Sequence, residues 1–206
     1  MPAFKRVLAR RPDTRQRVVL ATNNPGKVAE YRELLADTGA VLLTFDPDVD
    51  ETGGSYEENA LLKARAAAEA TGLPALADDT GLEVEALNGE PGLRSRRLAP
   101  TQPERNQVLM ERLRDVPRPW GARFVCAIAL VTPDGAEQTF RGEATGELTE
   151  NPRGEHGFGY DSIFVPEGET QTFAELPPEA KQRLGHRGRA VRGLLQSGFL
   201  ERVASN

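Results

Sequence analysis

The sequence predicts an α/β fold, and three observations carry that expectation. Short apolar runs alternate with segments of helical spacing through the first half of the chain. Two Ser/Thr-x-x-Glu stretches, Ser55 to Glu58 and Thr101 to Glu104, have the form of a capping box and mark helix starts. A long apolar, β-branched run from Arg123 to Thr132 meets the turn sequence Pro133-Asp134-Gly135, which returns a strand through Phe140.

Taken in order, Val18 to Ala21 fits a buried strand ending in the dense turn signal Thr22-Asn23-Asn24-Pro25-Gly26. Val28, Tyr31, Leu34 and Leu35 recur at helical spacing, with Gly39 as the stop. Val41 to Phe45 reads as a second strand, followed by an acidic loop from Asp46 to Glu51 and then Gly53-Gly54. The helix opened at Ser55 runs through an Ala-rich stretch to Gly72. Leu73 to Ala77 is a short strand that ends at Asp78-Asp79-Thr80-Gly81. The helix opened at Thr101 carries Val108, Leu109 and Leu113 on one face. Trp120 is assigned to a Pro-Trp-Gly turn and Cys126 to the core of a strand. Beyond that the chain reads as loop until Arg189, where a last helix carries Val191, Leu194 and Leu195.

The 206 residues suit one domain or two small lobes sharing a cleft. No apolar run approaches the roughly 20 residues of a membrane-spanning helix, so no membrane association is expected. One cysteine excludes an intrachain disulfide framework, and two histidines, His156 and His186, make a His-built metal centre improbable. A metal here would be held by carboxylates, which favours magnesium or manganese. A net charge of −5 argues against a general nucleic-acid binder. The first 17 residues hold Lys5, Arg6, Arg10, Arg11, Arg15 and Arg17 against Asp13 and lack a secretory apolar core. They are expected to form a poorly ordered basic extension ahead of a single catalytic domain from 18 to 206, in a cytoplasmic protein.

Four stretches carry chemistry. The turn from Thr22 to Lys27 feeds a helix N-terminus, whose unpaired N–H groups attract anions, with Lys27 adding a charge. It lacks Walker A spacing, and Val28 stands where a magnesium-binding hydroxyl would be. The acids Asp50, Glu51, Glu58, Asp78 and Asp79 come from separate segments and suit a hard cation that also meets substrate phosphates. Side chains alternate along a strand, so only one of Asp78 and Asp79 faces a given site. Gly157-Phe158-Gly159-Tyr160-Asp161 permits close backbone approach, with Phe158 able to stack on a planar ring. Lys181 with His186-Arg187-Gly188 suits phosphate and a carbonyl-bearing base.

In this order the segments resemble the inosine-triphosphate pyrophosphatase family, also called XTP/dITP diphosphatases. The likeness is carried by Leu-Ala-Thr-Asn-Asn-Pro-Gly-Lys at 20–27, Glu-Thr-Gly at 51–53 and Glu-Asn-Ala-Leu-Leu-Lys-Ala at 58–64. Ala-Asp-Asp-Thr-Gly-Leu-Glu-Val at 77–84, Leu-Asn-Gly-Glu-Pro-Gly at 87–92, Gly-Phe-Gly-Tyr-Asp at 157–161 and His-Arg-Gly at 186–188 complete it. The resemblance implies an elongated mixed β-sheet flanked by helices, two lobes around a central cleft, and a homodimer. It also implies magnesium-dependent hydrolysis of ITP, dITP and XTP to the monophosphate and pyrophosphate, cleansing the nucleotide pool. Other readings are a pyrimidine nucleotide pyrophosphatase of the septum-inhibitor type or a silent nucleotide-binding protein.

Carried over by residue, the resemblance implies that Thr22, Asn23, Asn24, Pro25, Gly26 and Lys27 form a triphosphate loop. Glu51 and Asp79 would be magnesium ligands, Asp79 also the general base, and Thr80 a substrate contact. Phe158, Gly159, Tyr160 and Asp161 would read the base, and Lys181, His186 and Arg187 would contact phosphate and base. A donor such as Arg187 or a backbone N–H is expected to meet a purine 6-keto oxygen. Departures from the family pattern are Asn23 for Gly, Thr80 for Ser, Ser162 for Pro, Gly185 for Ser, and Arg94 and Arg96 for Tyr and Ala.

Overall fold

The computed structural model describes residues 17–204. The basic extension lies outside them except for Arg17, which opens the first strand, β1 (Arg17–Ala21). Asn24 then caps α1 (Pro25–Leu34), with Pro at the first helical position where its missing N–H is harmless. β2 (Val41–Phe45) follows, and Ser55 caps α2 (Tyr56–Thr71), whose stop Gly72 is left-handed. The box at Ser55 is half open: Ser55 accepts from the Glu58 N–H, while the Glu58 carboxylate accepts from the Gly54 N–H at 2.6 Å.

After α2 come β3 (Ala75–Val84), β4 (Pro91–Gly92), α3 (Gln102–Leu113) with a complete capping box, β5 (Trp120–Val131) and β6 (Glu137–Leu148). The chain ends with β7 (Phe164–Pro166), α4 (Pro178–Leu184), α5 (His186–Gln196) and α6 (Phe199–Ala204). The seven strands form one mixed sheet in the order β2-β1-β3-β5-β6-β7, with β4 also on β3. The pairs β2–β1 and β1–β3 are parallel, and the others are antiparallel. Among the described residues no helix is long and apolar enough to cross a membrane.

Several sequence expectations are corrected. The strand expected to end before Asp78 runs on to Val84, because β5 pairs with it continuously from Ala75↔Val131 to Val84↔Ala122. Trp120 begins β5 rather than sitting in a turn, with its indole N–H donating to Val116 O at 2.9 Å. The loop expected before Arg189 contains β7 and α4, and α5 starts three residues earlier, at His186. Gly188 lies inside this helix. A Cβ there would run into the Gln182 carbonyl, so glycine lets α5 press against α4.

Alternation along the strands divides the core. Val19, Ala75, Ala77 and Ala129 meet Ala60, Ala64 and Ala67 of α2, small side chains that bring the helix close to the sheet. On the opposite face Val18, Leu20, Leu76 and Ile128 pack with Tyr31, Val191 and Leu194. A second apolar centre gathers Leu82, Val84, Leu109, Trp120, Phe164 and Phe173 at the other end. On one face β3 therefore reads Leu76, Asp78, Thr80, Leu82: two polar residues between two cores. That is where the lobes meet.

Candidate functional site

The site exists because β3 lacks a strand neighbour along part of one edge. β1 pairs with it only at Ala75 and Leu76, and β4 only at Leu82 and Glu83. Between them Asp79, Thr80 and Gly81 border a cleft of about 580 Å³. Gly81 keeps the far rim tight, since a Cβ there would lie 2.6 Å from Tyr56 Oη and 2.8 Å from the Gly92 carbonyl carbon.

Asp79 lines this cleft, close to α2. Its Oδ2 accepts from Asn59 Nδ2 at 2.9 Å, and its Oδ1 accepts from the Thr80 N–H at 2.9 Å. Lys63, one turn beyond Asn59 on α2, places Nζ 2.5 Å from Glu51 Oε1, 2.7 Å from the Asp78 carbonyl and 4.0 Å from Asp79 Oδ1. An ammonium thus stands between the two carboxylates. Burial raises the Asp79 pKa and the Glu51 charge adds to it, while Lys63 opposes both. Burial also acts upward on Glu51, but Lys63, Lys27 and Arg97 outweigh it and hold the group below the usual range. The Asn59 amide oxygen accepts from the Gly53 N–H at 2.8 Å, so one side chain fixes both Asp79 and the end of the acidic loop.

The expected triphosphate loop sits across the gap, but not as an open anion nest. Asn24 Oδ1 already accepts from the Gly26 and Lys27 N–H groups, at 2.9 and 3.3 Å, and Thr22 Oγ1 accepts from the Asn24 N–H. Pro25 offers no donor. Asn23 Nδ2 donates to Asp46 at 2.7 Å, tying this turn to the acidic loop. The turn lines the cleft with Thr22, Asn23, Asn24 and the Lys27 ammonium, which stands 2.9 Å from Asp78 Oδ1.

Asp78 faces the other way and is fully buried. Burial works to raise its pKa, but Lys27 and Arg187 prevail and drive it far below the carboxylate range. Arg187 donates to Asp78 Oδ2 from Nη2 at 3.0 Å, to Thr80 Oγ1 at 3.3 Å and to Glu30. The guanidinium is thus held by two carboxylates and a hydroxyl, while still lining the cleft. Glu30 of α1 also accepts from Lys181, which in turn donates to Asp161 Oδ2 at 2.5 Å. Burial opposes the charge on both Glu30 and Lys181, yet Arg187 and then Lys181 lower the first, and Asp161 and then Glu30 raise the second.

Phe158, Gly159 and Tyr160 complete this end. The Phe158 ring lies over α1, so a Cβ on Gly26 would come within 2.8 Å of its Cγ, and Lys181 Nζ stands 5.0 Å from the ring centre. Gly159 adopts φ +65°, open to glycine at low strain. Tyr160 Oη donates to the Ser95 carbonyl at 2.8 Å, and burial pushes its pKa up to about 12. His186 stacks on Phe124 with ring centres 4.5 Å apart; burial and then Arg187 keep it neutral, and its Nδ1 has no partner.

The structure thus brings the sequence-expected residues around one cleft except Pro25 and Gly26, which do not line it. Asn59, Lys63 and Glu30 were missed as site residues. Asn59 and Lys63 stand four apart on an Ala-rich helix, a spacing that puts both on one face. Glu30 carried no local signal. Asp79 and Glu51 form a hard oxygen donor pair, and among the described residues no three acidic, histidine or cysteine groups converge on one metal position.

Comparison with known proteins agrees with this architecture. The sequence profile of the Ham1 family matches residues 18–197. A dITP/XTP pyrophosphatase of Deinococcus deserti is 52% identical over 186 residues, covering 87% of this chain and 88% of that protein. One from Thermus thermophilus is 51% identical over 189 residues, covering 88% and 91%. A solved HAM1 protein from Coxiella burnetii superposes with a TM-score of 0.78 at 41% identity, covering 88% of this chain and 98% of that one.

Proposed function

The chain belongs to the Ham1 family, and from that premise we propose that it hydrolyses the non-standard purine triphosphates ITP, dITP and XTP to the monophosphate and pyrophosphate. The observation that carries this reading is the pairing of Asp79 with Glu51 around Lys63, facing Lys27 across the gap beside β3. The chemical obstacle is a phosphoanhydride shielded by its own negative charge. Lys27 and Lys63 bring two ammonium groups to that charge at fixed positions. Asp79, made more basic by burial and held by Asn59, orients the attacking water and takes its proton.

Glu51 and Asp79, two carboxylates from separate segments that share Lys63, suit a magnesium ion, with manganese as a substitute. Glu51 and Asp79 would hold it, and it supplies neutralisation of phosphate charge and polarisation of water. Lys63, paired with Glu51 in this structure, would stand beside the same phosphates.

At the other end the carboxylates of Glu30, Asp78 and Asp161 are consumed by Lys181 and Arg187. The donor for a keto group at this end is then a backbone N–H or the N–H of Arg187 that those partners leave over. A 6-keto oxygen is accommodated there, while the amino group of adenine would face donors and lose its hydrogen bond. Phe158 supplies an aromatic face for the base. The protein is read as a cytoplasmic homodimer that removes such nucleotides before polymerases incorporate them.

The test is pyrophosphate release from a panel of purine triphosphates with and without magnesium. Turnover of ITP, dITP and XTP far above that of ATP and GTP, and only with the metal, is the expected result. Release of orthophosphate, or equal turnover of ATP, would reject the reading.

A further inference from the structure

One wall of the cleft carries three arginines that this chemistry leaves unused. The tight helical turn Ser95–Arg97 is firmly seated: Ser95 Oγ accepts from the Leu82 N–H at 2.9 Å and donates to the Gly92 carbonyl at 2.6 Å. The Ser95 carbonyl takes the Tyr160 hydroxyl, and the Arg96 carbonyl takes Arg105 Nη1 at 2.5 Å. Arg96, Arg97 and Arg105 all line the cleft from this base.

Their charge is poorly compensated. Arg97 lies 3.7 Å from Glu51, a carboxylate already 2.5 Å from Lys63. Arg96 and Arg105 have no carboxylate within ion-pair distance among the described residues, and Arg105 Nε is buried without a partner. Arg187, also in the cleft, is by contrast held by two carboxylates. A protein of net charge −5 that leaves guanidinium groups unmatched on a rigid cleft wall presents a site for a polyanion, which planar forks bind through paired oxygens.

We propose that Arg96, Arg97 and Arg105 form a subsite for the free end of the polyphosphate, holding the terminal phosphates of the bound triphosphate and retaining pyrophosphate after cleavage. This rests on the function proposed above. The Arg97–Glu51 contact puts the subsite on the acidic side of the cleft, whereas Phe158 and Arg187 lie against α1 and α5. The ligand is thus the leaving group rather than the nucleoside.

Calorimetric titration of inorganic pyrophosphate and, separately, inosine monophosphate into the magnesium-supplied protein tests this without turnover. The double variant Arg96→Gln/Arg97→Gln and the single variant Arg105→Gln are expected to weaken pyrophosphate binding by about tenfold, as for loss of partly exposed charged hydrogen bonds. Monophosphate affinity should stay within about twofold. Arg94→Gln, outside the cleft, should leave both constants in place, and Arg97→Lys should fall between wild type and Arg97→Gln in pyrophosphate affinity. Unchanged pyrophosphate affinity overturns the proposal, and so does an equal loss for both ligands. Absence of turnover in the wild type would count against the proposed function alone, because the pyrophosphate titration still decides the subsite.

Discussion

Asp78 and Asp79 are the same side chain, one residue apart on one strand, in opposite situations. Asp78 is buried between Lys27 and Arg187, and its ionised form is held so firmly that it serves as an anchor for both. Asp79 opens on the cleft with an amide, a backbone N–H and a distant ammonium for company, and its pKa is raised. The lesson is that charge compensation decides the role. A carboxylate saturated by cations fixes structure, whereas one left basic at a cleft is available to water and metal.

The sharpest way to break the contrast is to convert each aspartate to asparagine. Asp79→Asn should lower turnover of ITP by about a thousandfold or more while the melting temperature at neutral pH holds or rises. Asp78→Asn leaves Arg187 and Lys27 short of a buried partner and should cost about 3–5 kcal/mol of stability in denaturant unfolding.

The pH dependence carries opposite signs on the two faces. The folded pKa of Asp78 is depressed, so its stabilisation is present above the unfolded value of about 3.9 and is lost as pH falls below it. The folded pKa of Asp79 is raised, so its protonated form favours folding at low pH and that contribution disappears as pH rises through the folded value. Melting temperatures followed from about pH 7 to about pH 3 should therefore fall steeply in the wild type and less steeply in Asp78→Asn.

Lys63→Gln sharpens the comparison from the Asp79 side. It removes the cation that opposes the upward shift, so the acid limb of kcat/KM should move to higher pH, and kcat should fall about a hundredfold. A limb that stays in place would mean that Asp79 is not the titrating group. The smallest effect is expected for Asn59→Ala, which removes one hydrogen bond to Asp79: about 1 kcal/mol of stability and a shift of the limb in the same direction.

Much of this was legible locally. Ser55 and Thr101 announced two helices because capping is written within four residues of sequence, and the turn from Thr22 to Gly26 with the spacing after it announced a third. Glu51, Lys27 and Asp79 stood out as charged residues at turns. The course of β3 was not legible, because Asp-Asp-Thr-Gly has turn composition and only pairing with β5, more than 40 residues away, keeps it extended. Two details of the site were hidden for the same reason. Arg187 looks like a free donor until Glu30 and Asp78 are brought to it from other elements, and the N–H groups after Asn24 look open until its own side chain closes them. Lys63 reads as an ordinary helix-surface lysine until β3 sets the Asp78 carbonyl 2.7 Å from it.

The central claim is that water directed by Asp79 attacks the α-phosphorus in this cleft. Turnover of ITP in heavy-oxygen water, with mass analysis of both products, tests it most directly. The account predicts the label in the monophosphate and none in the pyrophosphate; label in the pyrophosphate would contradict it.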